Sequence, residues 1–265
     1  MMMRIHLIAR PCFDVETFLS FLRDQDTSWT RSPRATEAEE IVEVSGRLCY
    51  MSFGDHQSPK QNGEYIAHLI RLGHESVLEH VSWTFLLTGV SRAFTHQLVR
   101  HRVGFAFSQL SQQYHDEAEA EFVEPRELQK FPEAQAAWRN AMLASRQAYQ
   151  TIAKILGQME REPEWRGLRK EARRAIRSAA RSVLPNATET KIVVTANARA
   201  LRHFLKVRGS IVGDVEMRQV AAGLLRHLAV EALSLFADFS IQRMEDGSPI
   251  VEHHPSTEAL LQSSA

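Results

Sequence analysis

His80-Val81-Ser82-Trp83-Thr84-Phe85-Leu86-Leu87-Thr88 and the nearby Ser91-Arg92-Ala93-Phe94-Thr95-His96-Gln97-Leu98-Val99-Arg100 carry the reading of the fold. In the first stretch Val81, Trp83, Phe85 and Leu87 recur at every second position, which predicts a strand with one buried face. In the second, Ser91 is a good N-cap and Phe94 and Leu98 recur at helical spacing, which predicts a helix to about Arg100. Outward from this pair the same rules predict a strand at Ile5–Ala9, a helix at Ala35–Ser45 and a loop at Gly54–Gly63. A helix at Glu64–Leu72 is stopped by Gly73. Downstream they predict long helices at Pro132–Glu160 and Glu164–Ser182, the second ending before Leu184-Pro185. A β-branched strand at Lys191–Thr195, helices at Asn197–Val207 and about Gly213–Ala237, and a closing strand at Phe239–Met244 complete the pattern. No repeat, low-complexity tract or Pro/Gly/Ser linker interrupts it. The expectation is a helix-rich α+β chain with a small, mostly antiparallel sheet, forming one domain over residues 1–265.

Composition narrows the function. The 32 basic and 32 acidic residues cancel, which argues against a sequence-independent nucleic-acid binder. A local basic pocket for a small anion stays open. Cys12 and Cys49 are the only cysteines, too few for a disulfide framework or a paired-cysteine zinc site. The apolar run before Arg10-Pro11 is short for a signal peptide, and no window approaches the ~20 apolar residues of a transmembrane helix. A cytoplasmic protein with no membrane or nucleic-acid partner is expected.

Chemistry concentrates between Gln97 and Tyr114. Arg100, His101 and Arg102 are consecutive and repel one another unless an anion sits among them. On the expected helix, Arg92, His96 and Arg100 share a face at i, i+4, i+8. Cations near a helix C-terminus are also favourable on structural grounds alone. The Ser108–Tyr114 stretch adds neutral donors and acceptors, among them Gln109, Ser111 and Gln113, suited to the edge of a flat heterocycle such as uracil. Gly73–His80 is a second polar cluster, read as a capped turn. His74 and His80 lack the i, i+4 spacing of a helical metal pair, so no metal is expected. A third constellation is Arg181-Ser182-Val183-Leu184-Pro185-Asn186, then Asn197-Ala198-Arg199, His203 and Arg208. Its structural alternatives are an Asn197 N-cap and a helix-terminal Arg208. No Gly-x-Gly-x-x-Gly or phosphate loop occurs, and neither cysteine is placed for covalent attack on a pyrimidine. The acidic His115–Glu127 segment reads either as a solvated loop or as a lid.

Together these blocks resemble the flavin-dependent thymidylate synthases, the ThyX family, over nearly the whole chain. The matching stretches are Ser45–Tyr50, Gly73-His74-Glu75-Ser76 with Glu79-His80, Gln97–Arg102, Ser108–Ser111, Arg181 with Leu184-Pro185, Asn197-Ala198-Arg199, and Arg208 with Glu216-Met217-Arg218. The resemblance implies the family's fold and a homotetramer whose FAD sites draw on several subunits. It implies reductive methylation of dUMP at C5 with 5,10-methylenetetrahydrofolate and NADPH as co-substrates. By matched position, Ser76, His101, Arg102, Asn197 and His203 would contact FAD. Gln97, Arg100, Ser111, Arg181 and Arg208 would line the nucleotide site, with Arg208 as the catalytic residue that polarises the pyrimidine. Three departures stand out. Eight residues separate Arg102 from Ser111, one more than the usual pattern, the extra one falling in Val103–Phe107. Gln113 replaces the family's usual Arg, and Val212-Gly213 replaces its usual His-Ala pair. These leave two alternatives beside dUMP methylation: the same chemistry on UMP, and a non-catalytic nucleotide- or RNA-binding protein.

Overall fold

The structure, a computed structural model, describes residues 2–255; the remainder of the expected 1–265 domain lies outside them. Among the described residues the order is β1 (Arg4–Ala9), α1 (Val15–Asp24), α2 (Glu37–Leu48), α3 (Asn62–Arg71), β2 (Ser82–Ser91), α4 (Arg92–Leu98) and β3 (Phe105–Gln109). Then come α5 (Pro132–Leu156), α6 (Arg169–Ala180), β4 (Glu189–Asn197), α7 (Ala198–Arg208), α8 (Val215–Glu231), α9 (Leu233–Phe236), β5 (Phe239–Arg243) and β6 (Pro249–His253). One sheet has the strand order β1-β2-β4-β3, and β5 pairs antiparallel with β6. The protein is helix-rich α+β, as expected. The described residues form two compact units: 2–4, Leu87–Arg100 and Phe107–Val193 in one, Ile5–Leu86, His101–Ala106 and 194–255 in the other.

The predicted alternation in β2 is real: Trp83, Phe85 and Leu87 are buried, and Ile192, Val194 and Ala196 alternate likewise along β4. Burial of each large side chain contributes about 1.5–3 kcal/mol. In the second unit Phe13, Phe18, Leu22, Trp29, Val44 and Phe53 form a cluster, with Phe18 and Trp29 edge to face at 5.7 Å. Helix α2 starts in a capping box, Thr36 with Glu39, and buries three of its acids. Each buried acid is matched: Glu43 takes Arg47 Nε at 2.7 Å and Asn62 Nδ2 at 2.7 Å, Glu40 takes both prongs of Arg31, and Glu39 caps the Ser234 amide.

Several expectations change. Helix α4 ends at Leu98, so Arg100 is not on it, and the stripe Arg92–His96–Arg100 does not exist as a helix face. The Arg100 amide bonds the Gln97 carbonyl, a tightened last turn that releases the chain toward β3. The Gly, aromatic and Ser/Gln stretch contains that strand, Phe105–Gln109, whose every-other-residue exposure the isolated Phe-Ala-Phe-Ser-Gln already carried. Helix α6 begins at Arg169 instead of Glu164, because Gly167 sits at φ +82° and Pro163 opens a separate short turn. Strand β6 was not foreseen. It is the return arm of a hairpin turned at Asp246-Gly247, with Gly247 at φ +74°.

Candidate active site

In the second unit, α7 organises one set of site residues. Asn197 Oδ1 accepts from the Ala200 amide at 2.9 Å and caps the helix, leaving Nδ2 as a donor. The Asn197 amide donates to the Gly104 carbonyl at 3.1 Å, which fixes the turn after His101-Arg102 against the start of α7. Gly104 has φ +72°, and a Cβ there would lie 2.7 Å from Asn197 Nδ2, so no side chain fits. Within the Val103–Phe107 interval that holds the extra residue, Val103 and Gly104 form this turn and Phe105 already begins β3.

His101 is wedged edge-on against Phe204, with centroids 5.3 Å apart, and faces Phe105 at 5.9 Å and His203 at 6.2 Å. Arg208 Nε donates to His101 Nε2 at 3.1 Å. A guanidinium is always a donor, so Nε2 must be unprotonated and the imidazole neutral. Burial, then the Arg208 charge, then His203 hold His101 below the ordinary histidine range, which agrees with that assignment. Arg208 ends α7. A Cβ on the next residue, Gly209, would come 2.5 Å from the Leu205 carbonyl and 2.6 Å from Val251 Cβ. The loop beyond is pinned by Arg218, fully buried in α8, which donates to the carbonyls of Ile211 (2.8 Å), Val212 and Pro249 (3.0 Å) and to Ser248 Oγ. Arg199 bridges Glu79 at 2.6 Å and Glu75 at 3.6 Å, tying the turn that bears the exposed Ser76 to the first turn of α7.

In the first unit, Ser91 Oγ caps α4, and the Arg92 and Ala93 amides bond the carbonyls of Thr188 and Asn186. The end of this helix sets Gln97 and the exposed Arg100. Arg92 turns away from them. Its Nη2 donates to the Leu110 carbonyl at 2.9 Å and lies 3.9 Å from Glu117 Oε1. Gln109 directs its amide nitrogen to Thr95 Oγ1 (3.1 Å) and Thr190 Oγ1 (3.3 Å). After β3 the chain turns: the amides of Tyr114 and His115 bond the Ser111 carbonyl, and the Gln113 amide donates to Ser111 Oγ. Arg181 caps the C-terminal end of α6 beside this set, half-buried.

A family model described as "Thymidylate synthase complementing protein" matches residues 33–232. The chain belongs to this family. Relatives named "Flavin-dependent thymidylate synthase" agree over almost the full length. The one from Mycobacterium avium (strain 104) is 43% identical over 260 residues, 97% of this chain and 98% of the relative. That of Mycolicibacterium gilvum (strain PYR-GCK) is 41% identical over 257 residues, 97% of each. That of Mycobacteroides abscessus is 42% identical over 250 residues, 94% of each.

Within this family member the geometry sorts the residues expected from sequence. His101, His203, Asn197 and Arg208 come together in one unit, His101 and Arg208 by direct contact. Gln97, Arg100, Gln109, Ser111, Gln113 and Arg181 belong to the other, where Ser111 and Gln113 share a turn. Two family blocks carry structural cations: Arg47 and Arg218 are fully buried. The acidic segment is neither bare nor uniformly solvated. Glu117 is buried, its amide donates to Tyr149 Oη, and that hydroxyl donates to Asp116. Arg146 and Gln150 of α5 bond the carbonyls of Ala120 and Ala118. Sequence reasoning missed the clasp of Arg92 on Leu110 and Glu117. The available signal was a lone cation four residues before His96, on the side of the helix that carries Thr95.

Proposed function

We propose that the protein is a flavin-dependent thymidylate synthase that methylates dUMP at C5 to dTMP, with 5,10-methylenetetrahydrofolate and NADPH as co-substrates. The observation that carries this reading is the guanidinium of Arg208, held at 3.1 Å by a neutral His101 in a chain of this family. A guanidinium fixed in that way stabilises charge developing on a pyrimidine ring, and needs no covalent attachment of the substrate to the enzyme. Neutral His101 fixes the direction of Arg208 without cancelling its charge.

The residues present suit FAD. The aromatic faces of His101, His203 and Phe105, the free Nδ2 of Asn197, and the exposed Arg102 and Ser76 offer stacking, an edge donor and pyrophosphate contacts. When bound, the flavin supplies the redox chemistry, and the protein supplies placement and field. We assign Gln97, Arg100, Ser111 and Arg181 to the nucleotide. Gln109 presents its carbonyl oxygen there, since its nitrogen is engaged by two threonines. We further propose a single functional domain with the family's fold, working as a homotetramer in the cytoplasm. Two exposed, unpaired cysteines suit a reducing compartment, and among the described residues no helix is long and apolar enough to cross a membrane.

The relatives' shared name refers to thymidylate and to flavin. It favours neither UMP methylation nor a non-catalytic nucleotide- or RNA-binding role. The test is direct. Purified protein should be yellow and should form dTMP from dUMP, methylenetetrahydrofolate and NADPH, at a higher rate than it methylates UMP. Colourless protein that takes up no added FAD would sink the reading.

A further inference from the structure

Helix α6 lies in a strongly basic stretch of a chain whose charges cancel overall, with seven Arg or Lys and one Glu between Arg166 and Arg181. Its arginines are treated in two ways. Arg169 and Arg173 both pair with Glu160, at 3.1 and 3.0 Å. Arg174, Arg177 and Arg181, at i, i+3 and i+7, share a different face. Among the described residues none of the three forms an ion pair.

Arg174 and Arg177 instead reach neutral acceptors in the Ser111–Tyr114 turn. Arg174 Nε donates to Gln113 Oε1 at 3.1 Å, and its guanidinium carbon lies 5.8 Å from the Tyr114 ring centroid. Gln113 Nε2 in turn donates to Ser178 Oγ at 3.1 Å, and Arg177 Nη1 donates to the Tyr114 carbonyl at 2.8 Å. The Gln113 amide is therefore gripped at both ends. It aligns Arg174 through Nε alone, which leaves the two terminal nitrogens as an open fork. A fork of this kind matches a phosphate or carboxylate bidentately. Three guanidiniums on one face, two of them held by neutral acceptors, repel one another, and an anion relieves that repulsion.

We propose that Arg174 binds the 5′-phosphate of the nucleotide, and that Gln113 is a positioning residue that orients its guanidinium. The assignment rests on the functional reading above. A phosphomonoester dianion has two sources there, the 5′-phosphate of the substrate and the 2′-phosphate of NADPH. The nucleotide is favoured because Arg174 reaches the turn built on Ser111, within the unit that also carries Gln97, Arg100 and Arg181.

The experiment compares binding of dUMP and deoxyuridine to FAD-loaded protein, with KM values for NADPH and NADH measured in parallel. Arg174→Gln should weaken dUMP binding about 10–100-fold, the loss expected for a charge-assisted contact, with deoxyuridine binding and melting temperature unchanged. Adding Gln113→Arg to that variant should recover much of the loss by returning a cation to the same turn. Gln113→Leu alone should weaken dUMP by a smaller factor and leave deoxyuridine unaffected. A folded, flavin-loaded Arg174→Gln protein that prefers dUMP over deoxyuridine as strongly as the parent would overturn the proposal, as would a loss confined to NADPH. A parent protein that ignores dUMP altogether would sink the functional reading together with it.

Discussion

Arginine is used differently in the two compact units. In the unit built on α7 and α8, Arg47, Arg202 and Arg218 are buried; Arg47 is matched by Glu43 of its own helix, Arg202 and Arg218 by groups from distant segments. Arg202 meets both oxygens of Asp238 at 2.6 Å, and Arg218 collects carbonyls from the loop behind Arg208. In the unit built on α5 and α6, Arg174 and Arg177 keep to neutral acceptors, and Arg181 closes the same helix half-buried. The contrast separates cations that hold the protein together from cations available to a ligand. Arg208 stands between these cases: its direction is set from within, by neutral His101 at the end of α7.

Breaking the first kind should have the largest effect. Arg202→Ala leaves the buried Asp238 carboxylate with His253 at 3.1 Å as its one remaining side-chain partner among the described residues, and a stability loss of about 3–5 kcal/mol is expected. Thermal or urea unfolding reads it, and an unchanged midpoint would mean that buried pairing is not what distinguishes this unit. Arg208→Ala should instead keep stability and flavin content while turnover falls about 10²–10³-fold; undiminished turnover would remove Arg208 from the chemistry.

The link between the two roles is sharpened by pH. His101 titrates below its ordinary value in the folded protein, so it is neutral in both folded and unfolded states above that ordinary value. As the pH falls through about 6.5 and below, protonation is disfavoured in the folded state. Stability and activity therefore both decline toward acid, and Arg208 loses its acceptor. His101→Gln, which retains an acceptor but cannot titrate, should flatten the acid limb of kcat/KM, and an identical limb in that variant would break the link.

Asn197→Asp tests a residue with two duties. The cap on Ala200 survives in Oδ1, so the melting temperature should hold, while loss of the Nδ2 donor should weaken FAD by about tenfold. Equal FAD affinity would leave Asn197 a cap and nothing more. The smallest effect is expected at Glu117. Burial raises its pKa, with Arg92 opposing, so ionisation costs stability as the pH rises from the ordinary glutamate value through the raised one. Glu117→Gln should remove that slope from the unfolding profile; a slope of the same size would show that Arg92 matches the charge fully.

Much of this was legible along the chain because it depends on neighbours within a few residues. The alternation of Trp83, Phe85 and Leu87, the caps at Ser91 and Asn197 and the stop at Gly73 all emerge from local geometry. The end of α4 at Leu98 and the strand Phe105–Gln109 were missed for the complementary reason. Both depend on the chain being drawn into a sheet beside β4, and pairing with a remote strand leaves little local mark.

By itself the amino-acid order determined most of the helices and the strands with a buried alternating face, which polar blocks exist and the family that their succession spells out. The tertiary structure decided which arginines are internal and which remain for a ligand. Gln113 and Arg174 are 61 residues apart, and Arg202 and Asp238 are 36. A guanidinium looks the same in every sequence; what differs is the acceptor brought to it, and only folding delivers that acceptor.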